Sequence, residues 1–465
     1  GIIKDNVLEK LKMVFNRKYF KLCFIIYMFI NTLALGYLGI EINYLFIPLL
    51  IWAVVIIVHD IYKKEFRLTK NYSILMIIQG LILLLATIVN EYSDLNSYVI
   101  AIMQLVIYLV IFNNPLSMTK EQIGQEVKVI TVLVNILVGV ASTISIGMYL
   151  AHFSSLANGW KLGVSAGRLS GIYFNSNPAA FLACMTIVLA LIAIREKFKG
   201  RFWYFLNIFI QFIYILLTKC RMALIILIVI IIMVGYYFFI RRRPYSNLKR
   251  ILMVSGLVVV IAGTGLIGQQ LVEVIPSVGN ITRHETSRFQ MDQLIEAGQL
   301  IVSGDSEKFN QGLEIIDEVS NGRISLTKTA LEIWHSEPVI GIGANNFKKI
   351  GSQETDVLDY WAIQVVHSHN VFLEALVATG IIGFIIFVIF FVKSVMMVFN
   401  VLKKSQGTSM YFIVQMFTMI VLCEFIGGLT DYGVFYIYSL SATLAWCFLG
   451  YLYTYQRIIK KEENQ

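Results

Sequence analysis

Runs of about 17–25 apolar residues, separated by short basic or polar joints, govern what this chain can fold into. Each run has the length an α-helix needs to cross a hydrocarbon layer of about 30 Å. They fall at about 20–39, 42–58, 72–89, 97–112, 129–150, 178–194, 202–218, 222–240, 251–269, 371–395, 410–427 and 433–453. Apolar residues make up 57 % of the 465, and only 14 % are charged, against roughly 25 % in an ordinary soluble domain. That is too little polarity to cover a water-soluble core of this size. A soluble enzyme is excluded, and the fold class expected is an all-α polytopic membrane protein of about twelve transmembrane helices.

Charge then sets the sidedness. Lys63, Lys64, Arg67 and Lys70 fill one joint; Arg195, Lys197, Lys199 and Arg201 another; Arg241, Arg242, Arg243, Lys249 and Arg250 a third. With twelve spans these joints share a side with the N-terminal arm, with Lys403 and Lys404, and with the tail that carries Arg457, Lys460 and Lys461. Basic joints stay cytoplasmic, so both termini are expected inside. The net charge of +9 is accounted for by this inner surface and its anionic lipid, and no nucleic acid is implied. The tightest joint, 218–221, carries the sidedness of everything after it.

The organisation expected is nine transmembrane helices over 1–269, an extracytoplasmic cap over 270–370, and three more helices with a cytoplasmic tail over 371–465. About 100 residues is too long for a passive connector. Within the cap, Met291–Ile301 and Ile324–Trp334 space apolar residues every three or four positions, as helices do. Pro276, Pro338 and the Gly341–Phe347 run GIGANNF read as turns. The joint 151–177 is a second outer segment longer than a helix connection requires. The five cysteines lie in or beside apolar runs without metal-ligand spacing, and read as buried small hydrophobes.

The polar residues that need a reason cluster on the outer side. Arg168 precedes the helix start at Asn177-Pro178 and either faces an anion or snorkels to lipid phosphate. Lys219 and Arg221 put positive charge where the topology disfavours it, so a bound phosphate or a cap carboxylate such as Glu285 or Asp292 should compensate them. Arg323 opens an amphipathic helix, and a guanidinium matches phosphate oxygens bidentately. His369 and Asn370 stand where a span begins, with Glu374 one turn deeper as a packing carboxylate or an orienter of His369. His369 is a helix cap or a base for a hydroxyl proton, and His367 points elsewhere if the helix has begun. Glu424 and Asp431 flank a glycine pair and are placed near the same outer cavity. No GxxxxGK[ST], HExxH or cysteine–histidine set is present. Three arginines and a histidine at one membrane boundary suit a substrate with a lipid tail and a phosphorylated head.

Four stretches in order, GRLSGIYFNSNPAAF at 167–181, LLTKCRMALIIL at 216–227, NGRISLTKTALEIWHSEPVIGIGANNF at 321–347 and HSHNVFLEALVATGIIG at 367–383, resemble bacterial O-antigen ligases and Wzy-type polysaccharide polymerases. The resemblance covers about 165–385. It implies a GT-C-like membrane fold with one large outer loop, and a glycan donor linked to undecaprenyl diphosphate on the outer face of the cytoplasmic membrane. The family's arginines fall on Arg168, Arg221 and Arg323 as diphosphate ligands, and its histidine on His369. Cys220 stands where a serine usually precedes the arginine at Arg221.

The mechanism implied is a metal-independent inverting displacement with no cofactor. Arg168, Arg221 and Arg323 meet the charge developing on the diphosphate, and His369 takes or orients the acceptor proton, supported by Asn370, Glu374 and Lys219. No covalent intermediate and no carboxylate pair is required. The expected activity is polymerisation of undecaprenyl-diphosphate-linked repeat units into capsular or exopolysaccharide, with membrane lipid, a flippase and a chain-length regulator as partners. Ligation to lipid A-core and a flippase are the alternatives.

Overall fold

A computed structural model describes residues 1–66, 72–237, 246–274, 291–320, 322–354, 367–431, 435 and 438–465. Arg67, Lys70, Arg241–Arg243, Pro276 and Glu285 lie outside the described residues. The first half comprises α1 (Ile2–Val14), α2 (Arg17–Thr32), α3 (Phe46–Tyr62), α4 (Ser73–Val89), α5 (Leu95–Val106), continued by a π-helical turn Ile107–Phe112, and α6 (Lys120–Leu150). After a small sheet come α7 (Ser176–Arg195), α8 (Arg201–Thr218), α9 (Arg221–Gly235) and α10 (Asn247–Val274). Short helices follow, α11 (Met291–Val302), α12 (Ser306–Val319), α13 (Arg323–Ser336) and α14 (Phe347–Glu354), before α15 (Val371–Ser405), α16 (Tyr411–Gly427) and α17 (Leu440–Glu463).

Each apolar run carries a helix, yet the expected twelve spans are not what the structure supports. Among the described residues six helices are long and apolar enough to cross a membrane: Asn43–Tyr62, Leu95–Phe112, Lys120–Leu150, Ser176–Arg195, Arg201–Thr218 and Val371–Ser405. α4, α9 and α16 are apolar but shorter. The protein is a mostly helical, polytopic membrane protein, and its described residues hold fewer full-length spans than the hydropathy of the sequence predicts.

α7 forms the middle of the bundle. It is buried along most of its length, and Ala179, Ala180, Ala183, Ala190 and Ala193 let neighbouring backbones approach closely. α17 is the second central element, with Trp446 packed edge-on against Tyr108 and Phe112. The bundle has two distinct ends. At one, Arg17 pairs with Asp60, Lys120 with Glu462 at 2.9 Å, Lys404 with Glu463 at 2.8 Å, and Arg457 donates to the Pro115 carbonyl. At the other, the end of α2 meets the segment after the sheet through Ala34 N–H to the Ile172 carbonyl at 2.8 Å.

The sheet corrects the all-α expectation. The joint at 151–177 folds as β1 (Ser154–Ala157), β2 (Trp160–Ser165) and β3 (Arg168–Gly171), antiparallel in that order. Its two-residue turns are Asn158-Gly159 and Ala166-Gly167, all four residues at positive φ. That geometry matches the twist of paired strands. The cap periodicities at Met291–Ile301 and Ile324–Trp334 lie in α11 and α13.

Candidate functional site at the polar end of the bundle

β3 begins with Arg168, whose Nε donates to the Thr218 carbonyl at 2.9 Å, at the end of α8. Its Nη2 donates to Asn177 Oδ1, and Asn177 Nδ2 donates to Asp431. Asn177 is held in the first turn of α7, which Asn175 caps. Asp431 Oδ1 lies 3.5 Å from His369 Nδ1. One carboxylate therefore links the guanidinium on the sheet to the imidazole before α15.

The turn carrying His369 is built from its own sequence. Asn370 caps α15, accepting from Phe372 N–H at 2.9 Å and Leu373 N–H at 3.1 Å. Its Nδ2 donates to the Leu429 carbonyl, and Val371 N–H donates to the Gly428 carbonyl. These bonds fasten the loop that presents Asp431. Because α15 starts only at Val371, His367 has not entered a helix, and its ring lies 4.1 Å from that of His369 instead of pointing away. Glu374 accepts from the N–H and Oγ of Ser368 at 3.1 and 2.9 Å. It fixes the turn, while the carboxylate contact to His369 falls to Asp431. His369 itself sits at φ 54°, a conformation that costs energy outside glycine and recurs at functional sites.

Arg323 opens α13, where Asp317 from the preceding helix accepts from Ile324 N–H and Ser325 N–H at 2.8 and 3.1 Å. Arg221 opens α9 and donates to the Val319 carbonyl at 3.1 Å. The break before it is made by Lys219, the left-handed C-cap of α8, and by Cys220, whose side chain does not cap α9. Arg168, Arg221 and Arg323 lie within one another's electrostatic reach, and Asp431 acts on both Arg168 and Arg323. Asp431 is thus the carboxylate that acts on Arg168 and Arg323, whereas Asp292, expected to compensate Lys219 and Arg221, is exposed on α11.

Burial alone would raise the Asp431 carboxyl. The hydrogen bond and charge of His369, with His367 and Asn177, outweigh it and bring it down to about 2. Burial, then the neighbouring His369, push the His367 pKa well below its ordinary value, with Asp431 pulling the other way. The anionic centre of the site is thus ionised while the inner imidazole is neutral.

His367, His369 and Asp431 offer three ligand atoms within 4.8 Å of one another, a grouping able to hold a metal ion. The fit is poor. His369 N–H donates to His367 Nδ1 at 3.0 Å, so the neutral ring has that lone pair engaged and its proton on Nε2, leaving no free lone pair for a metal. A divalent ion would also meet the field of Arg168 and Arg323.

A cavity of about 630 Å³ opens on this cluster, lined there by His367, Asn370, Glu374 and Asp431. The three arginines are not among its lining residues. Asp431 and Asn177 are what sequence reasoning undervalued: both are short polar side chains at helix ends, joined across 254 positions.

Fold and site together define a polytopic helical membrane protein with a basic, histidine-containing cluster at one end of its bundle. Residues 206–388 match the O-antigen ligase family, Wzy_C. The match spans less than half of the chain and contains Lys219, Arg221, Arg323, His369, Asn370 and Glu374, with Arg168, Asn177 and Asp431 outside it. No curated protein matches the chain.

Proposed function

We propose that the protein is an inverting glycosyltransferase with a GT-C-like fold that polymerises polyprenyl-diphosphate-linked oligosaccharide repeat units on the outer face of the cytoplasmic membrane, yielding capsular or exopolysaccharide. The observation that carries this reading is the Asp431 bridge, which holds His369 at 3.5 Å and reaches Arg168 through Asn177. The leaving diphosphate needs placed cations and no proton; Arg168, Arg221 and Arg323 supply them. The acceptor hydroxyl needs a base or an orienter, and His369, steadied by Asp431, is that group. Direct attack opposite the diphosphate inverts the anomeric carbon, so the proton passes to His369 and the diphosphate leaves as an anion. Asn370 and Glu374 position the turn, and Lys219 shapes the break that presents Arg221. The apolar helices carry the lipid tail, and a flippase and a chain-length regulator are the protein partners of such an enzyme.

Ligation of a finished glycan to lipid A-core is the second reading, because the matched family is described by ligation. Incubating the purified protein with lipid-linked repeat units alone separates the two: laddered polymer without any second acceptor establishes polymerisation. The same ladder should survive EDTA and disappear in Arg323→Ala and His369→Ala protein that still enters the membrane. Normal-length polymer from either variant ends this assignment of roles.

A further inference from the structure

The cavity that opens on Asp431 and His367 runs away from the arginines to a wall of different chemistry. Asn31, Asn43, Asn96, Asn158 and Asn345 line it together with the indole of Trp160. These come from four separate places in the chain, so their convergence is a property of the fold and not of one polar loop. Asn158 sits in the first hairpin turn and donates to the Tyr37 carbonyl at 3.2 Å. Tyr37 hydroxyl in turn bonds Ser155 at 2.6 Å, which fastens the hairpin over the loop after α2. Asn43 Nδ2 donates to Asn96 Oδ1 at 2.6 Å and Asn31 Nδ2 to the Tyr27 carbonyl at 3.0 Å. These contacts engage one group of the amides of Asn31, Asn43, Asn96 and Asn158, and all four residues line the cavity.

Trp160 closes this end. Its indole lies so near Gly36 that a Cβ there would come within 2.0 Å of the ring, so only glycine lets the ring lie down against the chain. Trp160 is 39 % exposed. An aromatic face ringed by carboxamides is matched by a sugar ring, with apolar C–H faces and hydroxyls that both donate and accept as amides do. The charge of the lining narrows the class. Glu41, Glu374 and Asp431 border the cavity, and no lysine or arginine is among the described lining residues. A uronate or a phosphorylated sugar would bring a second anion to this wall, which has no lysine or arginine among its described lining residues to meet it.

We infer that the Trp160–asparagine wall is the acceptor subsite and that it takes an uncharged or N-acylated sugar, not an acidic one. This rests on the transferase reading, in which the diphosphate occupies the arginine side and an in-line displacement brings the nucleophile from elsewhere. The cavity reaches His367 and Asp431 by a face the arginines do not line.

Binding and turnover are read separately. Saturation-transfer NMR on protein in nanodiscs would use methyl β-glycosides of glucose, N-acetylglucosamine and glucuronic acid as probes. The expected result is signal from the two neutral glycosides at least fivefold above that of the glucuronide. Trp160→Ala should abolish it and Trp160→Phe should keep at least half. Gly36→Ala, whose new methyl displaces the indole and leaves the hairpin in place, should reproduce the loss. In the polymerisation assay Trp160→Ala should raise the acceptor KM at least tenfold with kcat changed less than threefold. A glucuronide signal as strong as the neutral ones, or unchanged binding and KM in both Trp160→Ala and Gly36→Ala, overturns the subsite while transfer stands. Neutral-sugar binding lost with Trp160, in a wild-type protein that makes no polymer from repeat units and transfers glycan to no added acceptor, overturns the transferase reading and leaves a sugar site.

Discussion

At the scale of single residues the site turns on one carboxylate. Asp431 is nearly inaccessible, contacts His369 and reaches Arg168 through Asn177, so it sets the orientation of the imidazole and offsets two guanidinia at once. Asp431→Asn keeps the shape and removes the charge. Polymer formation should fall by about 10²-fold or more, while Asp431→Glu should recover part of it; equal rates in wild type and Asp431→Asn would remove the bridge from the mechanism. His367 gives a different signature. Its folded-state pKa lies well below 6.5, whereas the unfolded chain protonates it near 6.5. Below that pH the unfolded state binds the extra proton, so folding stability falls with acidification by up to about 1.4 kcal/mol per pH unit. Asp431, at about 2, stays ionised throughout. Thermal melts from pH 7.5 to 5.5 should therefore show wild type losing more Tm than His367→Gln; parallel curves would contradict a buried neutral ring. The sequence marked His369 and the arginines by type and position at membrane boundaries. It placed Asp431 near the outer cavity without pairing it to His369 or Arg168, because the contacts that matter join residues 177, 369 and 431, and spacing reports only neighbours.

At the scale of elements, glycines decide how closely backbones meet. Gly171 ends β3 at φ 67°, and a Cβ there would fall 2.1 Å from Ser145 Cβ and 2.8 Å from its Cα on α6. Ser145 Oγ also accepts from Ile172 N–H at 3.1 Å. Gly171→Ala must either strain the residue, at about 1–3 kcal/mol, or lift the strand from α6, and Arg168 lies three residues earlier on the same strand. A lower Tm together with reduced turnover is expected; a variant with wild-type melting and activity would show that the strand is not clamped there. Gly380 does the same for α15. It breaks the helix at φ 68°, and its missing Cβ leaves room for the Val339 carbonyl. The GIGANNF turn packs in that space, with Gly343 against Thr87 of α4. The turn was legible from its glycines. The hairpins were not read from the sequence, although Asn158-Gly159 is a strong two-residue turn signal, because strands of four to six residues between long apolar helices carry little periodicity of their own.

Across the whole molecule, hydropathy located the helices but not the surroundings of each; among the described residues six are long and apolar enough to cross a membrane. Asn43–Tyr62 and Ser176–Arg195 have mean hydropathies of 2.3 and 2.2, yet 28 % of the first is buried inside the protein and 83 % of the second. An apolar run answers equally to lipid and to a protein core, and only the packing distinguishes them. Sidedness is argued from charge. Lys120, Lys404 and Arg457 gather at one end of the bundle beside Glu462, Glu463 and the Pro115 carbonyl, while the hairpin, the arginines and His369 occupy the other. Lysine and arginine in short joints are retained in the cytoplasm, and on that rule we propose that the first end lies inside and the cluster at Asp431 outside, as the proposed transfer requires. In a background with the five native cysteines replaced, Asn158→Cys at the hairpin tip should react with a membrane-impermeant maleimide in intact cells. Lys461→Cys should react only after the cells are opened. The reverse pattern would turn the site toward the cytoplasm and remove the outer-face reaction proposed for it, because the arginines, the histidine and the sugar cavity all move with the hairpin.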